Sequence, residues 1–323
     1  MEKIESIVIT IARLANASEE ETKKLIEKYS SMSEIEIIKD LSMLSYRMFS
    51  SNEGFYNYAL TLIKSINPKK CPPISEMKVI LNNIYSNKSD SNVDLEANHK
   101  LVCEALDNFT TMFNEANIDY YIVGALPCFI KTGQPLFRYH DDIDIMINEN
   151  DIEKVKELVE ICGYTFHDDR YPSVDRCKEM EKNKPPHLVL AQHPENEFHL
   201  GFFCFRREED KSITMREYSH HLENGNVVVD VLERRNTPKG TKARYDDTPT
   251  EFMHTTFKTS TVESVYHIKS YTKRPKDLTD MKKLEQYVDK EKLATIEVNP
   301  QEQVILTNVT NQEIVNGIKK YKS

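Results

Sequence analysis

An α+β fold is the class this sequence predicts, and three observations predict it. Only 8 glycines occur in 323 residues, and six of them (124, 133, 163, 201, 225 and 240) fall in the middle of the chain. Tight turns use glycine and helix interiors disfavour it, so the flanks read as helical and the middle as mixed. Apolar residues recur at helical spacing along both flanks, whereas the middle carries short runs of strand formers.

The N-terminal flank divides into helices over 4–14, 19–29, 34–49 and 56–66. Ser18 ahead of Glu19, Glu20 and Glu21 is an N-cap followed by an acidic first turn, and Ser33 serves the third helix in the same way. The stretch 67–73, with Pro68, Pro72 and Pro73, breaks the pattern, and 86–92 reads as a polar linker. A helix over 95–114 feeds the first strand, 120–123, which ends at Gly124 and is followed by a short helix, 125–131. An amphipathic helix over 151–162 stops at Gly163, and 168–184 is a charged loop or short helix. Three strands follow at 187–192, 197–206 and 226–234, the first two as a hairpin, with Asn224-Gly225 as a turn before the third. A helix over 262–269 follows, and 273–280 leads into another that runs to 288. The expected division is a helical domain over 1–93, a core over 94–254 and a helical region over 255–323.

Composition narrows the function classes. The net charge of −9 gives no global attraction to nucleic acid. No stretch has the apolar length of a membrane span, and the first five residues are too acidic and interrupted for a signal peptide. Six cysteines are scattered without a Cys-x-x-Cys pair, which indicates neither a zinc site nor a disulfide framework and suits a reducing cytoplasm. The histidines lack the helical i, i+4 pairing or cysteine companions that zinc uses.

Chemistry concentrates in Arg138-Tyr139-His140-Asp141-Asp142-Ile143-Asp144-Ile145-Met146-Ile147. Successive strand side chains point to opposite faces, so Asp142 and Asp144 share one face and Ile143, Ile145 and Ile147 the other. Two carboxylates side by side repel unless a cation lies between them, and a hard divalent ion with oxygen ligands, Mg²⁺ above all, is the usual answer. The alternative is a turn or cap at Asp141-Asp142 with Asp144 facing solvent.

Strand, Gly124, helix, loop and a second strand bearing Asp-x-Asp form the arrangement of the nucleotidyltransferase fold. Residues 96–290 resemble that superfamily, particularly bacterial branches typified by lincosamide nucleotidyltransferases, AbiEii-type toxins and LicD-like proteins. Arg138, Asp142 and Asp144 match the toxin-like pattern Arg-x-Thr/Ser-x-Asp-x-Asp, with His140 in the hydroxyl position. Gly124-Ala125 stands where most members carry Gly-Gly or Gly-Ser. The resemblance implies a nucleotidyltransferase-like core, a small mixed sheet with flanking helices, between helical N- and C-terminal regions.

The implied reaction moves a nucleoside monophosphate from an NTP, with ATP the expected donor, to a hydroxyl acceptor and releases pyrophosphate. Mg²⁺ or Mn²⁺ would be held by Asp142, Asp144 and a third carboxylate on a neighbouring strand. Asp230, inside Val227-Val228-Val229-Asp230-Val231-Leu232, is the candidate for that third ligand; His199 is the alternative occupant, and its presence there would imply an altered or lost catalytic base and favour a degenerate binder. Gly124, Ala125, Arg138, His140 and Lys269 would meet the nucleotide, and Arg274-Pro275-Lys276-Asp277 would cap the next helix. The expected partners are the NTP and a hydroxyl-bearing small molecule, with RNA or protein as other acceptors. A LicD-like transfer to a sugar and a degenerate nucleotide-binding module remain alternatives. The basic cluster from Arg234 to Arg244 reads as a charged loop.

Overall fold

The computed structural model describes residues 2–15, 17–49, 53–88, 94–167, 190–195, 198–223, 226–297 and 301–309. Helices α1 (Glu2–Leu14), α2 (Glu19–Ser30), α3 (Glu34–Phe49), α4 (Glu53–Ile66) and α5 (Ile74–Lys88) bury a core of their own around Ile11, Leu41, Leu60 and Ile63. Ser18 and Glu21 form a reciprocal capping box at the start of α2, as the sequence pattern requires. Helix α5 runs to Lys88, into the stretch expected to be a linker.

The second core lies on a mixed sheet. Its strands are β1 (Tyr120–Val123), β2 (Asp142–Asn148), β3 (Thr165–His167), β4 (Leu190–Gln192), β5 (His199–Arg207), β6 (Ile213–Glu223), β7 (Asn226–Arg235), β8 (Tyr245–Phe252), β9 (Thr255–Ser260) and β10 (Gln301–Val309). The order is β10-β7-β6-β5-β2-β1-β9-β8, with β3 and β4 off this path. Ile143, Ile145, Ile147, Ile122, Leu200 and Phe202 bury one face against α6 (Leu95–Glu115) and α8 (Ile152–Ile161). Tyr121, Met146 and Phe205 sit in a smaller cluster on the opposite face. Mixed strands with helices packed on them make this an α+β fold. Among the described residues no helix is long and apolar enough to cross a membrane.

Several expectations are corrected here. The boundary placed at 254/255 cuts a hairpin, because β8 and β9 pair antiparallel and β9 runs parallel to β1 inside the core sheet. The C-terminal region is not all helical: β9 and β10 flank α10 (Val262–Thr272), α11 (Pro275–Leu284) and α12 (Lys290–Glu297). Strand β8 escapes sequence reading because it is polar, carries Pro249 and lies on the sheet edge, where proline costs no ladder bond. The basic cluster holds the end of β7 and a helix, α9 (Pro238–Arg244), capped by the Thr237 hydroxyl. The charged stretch 168–184 and the Asn224-Gly225 turn lie outside the described residues.

Candidate active site

Strand β2 lies between β1 and β5, and this places Asp144 between two glycines. β1 runs antiparallel with Val123 opposite Asp144, while β5 runs parallel with His199 opposite Asp142 and Gly201 opposite Asp144. A Cβ at Gly201 would lie 2.9 Å from Asp144 Oδ1, and one at Gly124 would lie 3.3 Å from Oδ2. The Asp144 carboxylate thus occupies a slot whose walls are two Cα atoms. Gly124 also has φ +81° and ψ −168°, a region open essentially to glycine alone, where the chain turns from β1 into helix α7 (Ala125–Lys131). Gly201 was not singled out for the site by sequence reasoning. Its signal was a lone glycine inside a strand, which marks close approach of another group.

The first turn of α6 fixes the chain just ahead of β2. Asn98 Nδ2 donates to the His140 carbonyl at 2.7 Å and the His140 amide donates to Asn98 Oδ1 at 3.0 Å. His99 Nε2 lies 2.8 Å from the Arg138 carbonyl oxygen. His140 is therefore no phosphate ligand: its ring is 3 % exposed, and burial and then the Arg138 charge push its pKa down to about 3. It folds as the neutral imidazole. Since the unfolded residue titrates near 6.5, the unfolded chain takes up a proton that the fold excludes, and stability falls with pH below that value. We expect this one group to remove about 2 kcal/mol between pH 7 and pH 5. Urea unfolding should show a smaller loss over the same interval for His140→Gln.

Arg138 and Lys269 also take roles other than those expected. Arg138 forks onto Asp280 with Nε and Nη2, both at 3.0 Å, and its Nη1 donates to the Tyr139 carbonyl. Lys269 Nζ lies 2.8 Å from both Asp277 Oδ1 and Asp280 Oδ2. Arg274 Nε and Nη2 hold Asp277 at 2.7 and 3.2 Å, and the Thr272 hydroxyl adds a bond to the same carboxylate. Both aspartates are fully buried. Burial raises the Asp277 pKa, but Arg274 and Lys269 more than offset it and hold the carboxyl well below the usual range. With their donors committed to carboxylates and a carbonyl, Arg138 and Lys269 tie α10 and α11 to the segment leading into β2.

Asp230 stands elsewhere. It lies in β7, opposite Ser219 of β6 and Thr307 of β10. From β2, β7 is three strand spacings along the sheet, about 14 Å. Moreover, β4 pairs with β5 at 199–201 and so occupies the edge beside the aspartate strand, while β6 meets β5 only at Arg206 and Arg207. A single divalent ion with ligand distances near 2.1 Å cannot bridge that gap, so Asp230 is not a ligand beside Asp142 and Asp144. The residue on the neighbouring strand is His199, whose Nε2 lies 3.9 Å from Asp142 Oδ2.

Residues 105–196 match the family model of aminoglycoside-2''-adenylyltransferase. This stretch spans the second half of α6, the glycine turn and the aspartate strand. The likeness is therefore of this segment to part of an adenylyltransferase. Two solved structures are also similar: the lincosamide antibiotic adenylyltransferase LnuA bound to lincomycin, and the antibiotic-resistance factor ANT(2'')-Ia. The first has 19% identity and a TM-score of 0.39, covering 57% of this chain and 97% of its own. The second has 11% identity and a TM-score of 0.41, covering 69% of this chain and 97% of its own. Scores this low carry no argument for this chain. No curated protein matches the chain.

Among the described residues no group of three or more His, Cys, Asp and Glu side chains is arranged to hold a metal. The donor set nevertheless fits one kind of ion. Mg²⁺ is commonly held by one or two carboxylates, with substrate phosphates and water completing its shell. Asp142 and Asp144 supply two hard oxygen donors on one face, and glycine walls leave the Asp144 carboxylate approachable from that face.

Proposed function

We propose that the chain moves a nucleoside monophosphate from ATP to a hydroxyl of a small molecule, with Mg²⁺ or Mn²⁺ at Asp142 and Asp144. What carries this reading is the Asp144 carboxylate, set between the Gly124 and Gly201 backbones with Asp142 on the same face. Bound there, the metal would neutralise phosphate charge and favour ionisation of the acceptor. The new bond joins the acceptor oxygen to the α-phosphorus, and the bond that breaks frees pyrophosphate. Such chemistry depends on positioning and charge stabilisation more than on a special nucleophile.

His199 takes the acceptor side. Its imidazole stands across from Asp142, where Nε2 would accept the proton leaving the acceptor hydroxyl, and the adjacent carboxylate stabilises the imidazolium that results. We expect His199→Ala to lose transfer by about a hundredfold while keeping ATP affinity, and His199→Asp to recover part of the rate. Pyrophosphate release and calorimetry on the same samples check this. A fully active His199→Ala would remove the residue from the reaction.

The acceptor class follows the matched family's name, so aminoglycosides are the first hydroxyl compounds to test. The deciding experiment is calorimetry of ATP with Mg²⁺ and with excess chelator, followed by pyrophosphate release with and without aminoglycoside. Equal affinity in chelator would sink the metal-dependent reading. Transfer to RNA or protein instead would keep the chemistry and change the acceptor.

A further inference from the structure

With Arg138 and Lys269 committed to buried carboxylates, the triphosphate lacks an assigned cation. The cluster that holds them contains three cations, Arg138, Lys269 and Arg274, against two carboxylates, Asp277 and Asp280, and so carries one positive charge in excess. Among the described residues Nη1 of Arg274 has no hydrogen-bond partner, since Nε and Nη2 go to Asp277. The Arg274 side chain is also the most accessible of the three, 34% exposed against 16% for Arg138 and 8% for Lys269.

Its position follows from packing. Val265 of α10 and Leu284 of α11 pack on Ala125, Cys128 and Phe129 of α7, the helix that leaves Gly124 beside Asp144. The turn from α10 to α11 is abrupt: Lys273 is left-handed at φ +47° and Pro275 opens α11 with φ already set. Arg274, between them, is locked as the cap of α11, because Asp277 accepts from both its amide and its guanidinium. Burial lowers the Arg274 pKa, and Asp277 followed by the fields of Asp142 and Asp144 raises it to a net increase. The guanidinium therefore sits within the field of the carboxylate pair.

Building on the nucleotide reading above, we infer that Arg274, held in place by Asp277, is the side chain that binds the triphosphate at this site. Two carboxylates would repel a triphosphate carrying several negative charges. A planar, permanently charged guanidinium with one nitrogen in reserve meets phosphate oxygens through charge-assisted hydrogen bonds. Asp277 fixes its plane, so little side-chain entropy is lost on binding.

The test is calorimetry of the full chain with Mg²⁺ and, separately, ATP, inorganic tripolyphosphate and AMP. Arg274→Ala should weaken ATP and tripolyphosphate by about tenfold or more and leave AMP within about twofold. Arg274→Lys, which keeps the charge and guards against misfolding of the alanine variant, should restore part of the affinity for both polyphosphates. A uniform loss for all three ligands would mean that Arg274 only supports the fold, and an unchanged ATP affinity would remove it from the site. Equal loss from Lys276→Ala, a neighbouring exposed cation, would shift the role to that lysine and overturn the inference. Failure of the wild-type chain to bind any triphosphate is a different result, and it would end the nucleotide reading along with this one.

Discussion

Asp144→Asn is expected to lower the rate of transfer at least about a thousandfold, the loss of roughly 4 kcal/mol of transition-state stabilisation. The fold should keep its stability, because removing one of two like charges two residues apart on a strand face relieves repulsion. The companion variant Gly201→Ala probes the same carboxylate from outside. Gly201 has ordinary strand backbone, so alanine fits the chain itself, yet its Cβ would come within 2.9 Å of Asp144 Oδ1 and push that oxygen aside. A displacement near 1 Å costs about a hundredfold where reacting groups must be aligned. Pyrophosphate release at saturating ATP, with thermal unfolding alongside, measures both effects. An Asp144→Asn enzyme retaining more than a tenth of wild-type activity would show that the carboxylate pair does not organise the chemistry.

The second large effect is on stability. Asp280→Ala should cost about 3–5 kcal/mol, because it leaves Arg138 without its bidentate partner and removes one of the two carboxylates on Lys269, in a site closed to water. Arg138 lies four residues before Asp142, so the aspartate strand should lose order together with stability. The urea midpoint reports the first effect and ATP affinity the second. A loss below about 1 kcal/mol would place the cluster among solvated surface pairs instead. The same cluster makes the fold acid-sensitive. Asp277 has a depressed folded pKa, so its contribution is present above the ordinary carboxylate range and drains away as pH falls below about 4.

The aspartate pair was legible because its signal is local: alternation along one strand fixes which side chains share a face, and neighbours in sequence suffice to read it. Helix starts such as Ser18 were legible for the same reason. Lys269, Arg138 and Asp230 were misread because their surroundings come from distant chain. Arg138 meets Asp280 across 142 positions, and nothing within either segment says that a basic residue there will be buried. Asp230 looked like a costly lone carboxylate in an apolar strand, yet its place depends on strand order. In that order β4 takes one half of the β5 edge and β6 the other. The boundary at 254/255 failed similarly, because a polar hairpin joins the core through a parallel ladder to β1 that no local pattern announces.

The divided edge of β5 separates two tolerances to substitution. The half at 199–201 is clamped between β2 and β4 and carries His199 and Gly201, so substitutions there act directly on the carboxylates. The β6–β7–β10 ribbon joins this sheet through β6 at only two residue pairs, Arg206 with Thr214 and Arg207 with Ile213. Its Ile213 end is packed on the aspartate strand all the same, because Ile213 shares a buried cluster with Met146 of β2. Substitutions in the ribbon far from Ile213 are therefore expected to disturb the carboxylates less than substitutions beside it.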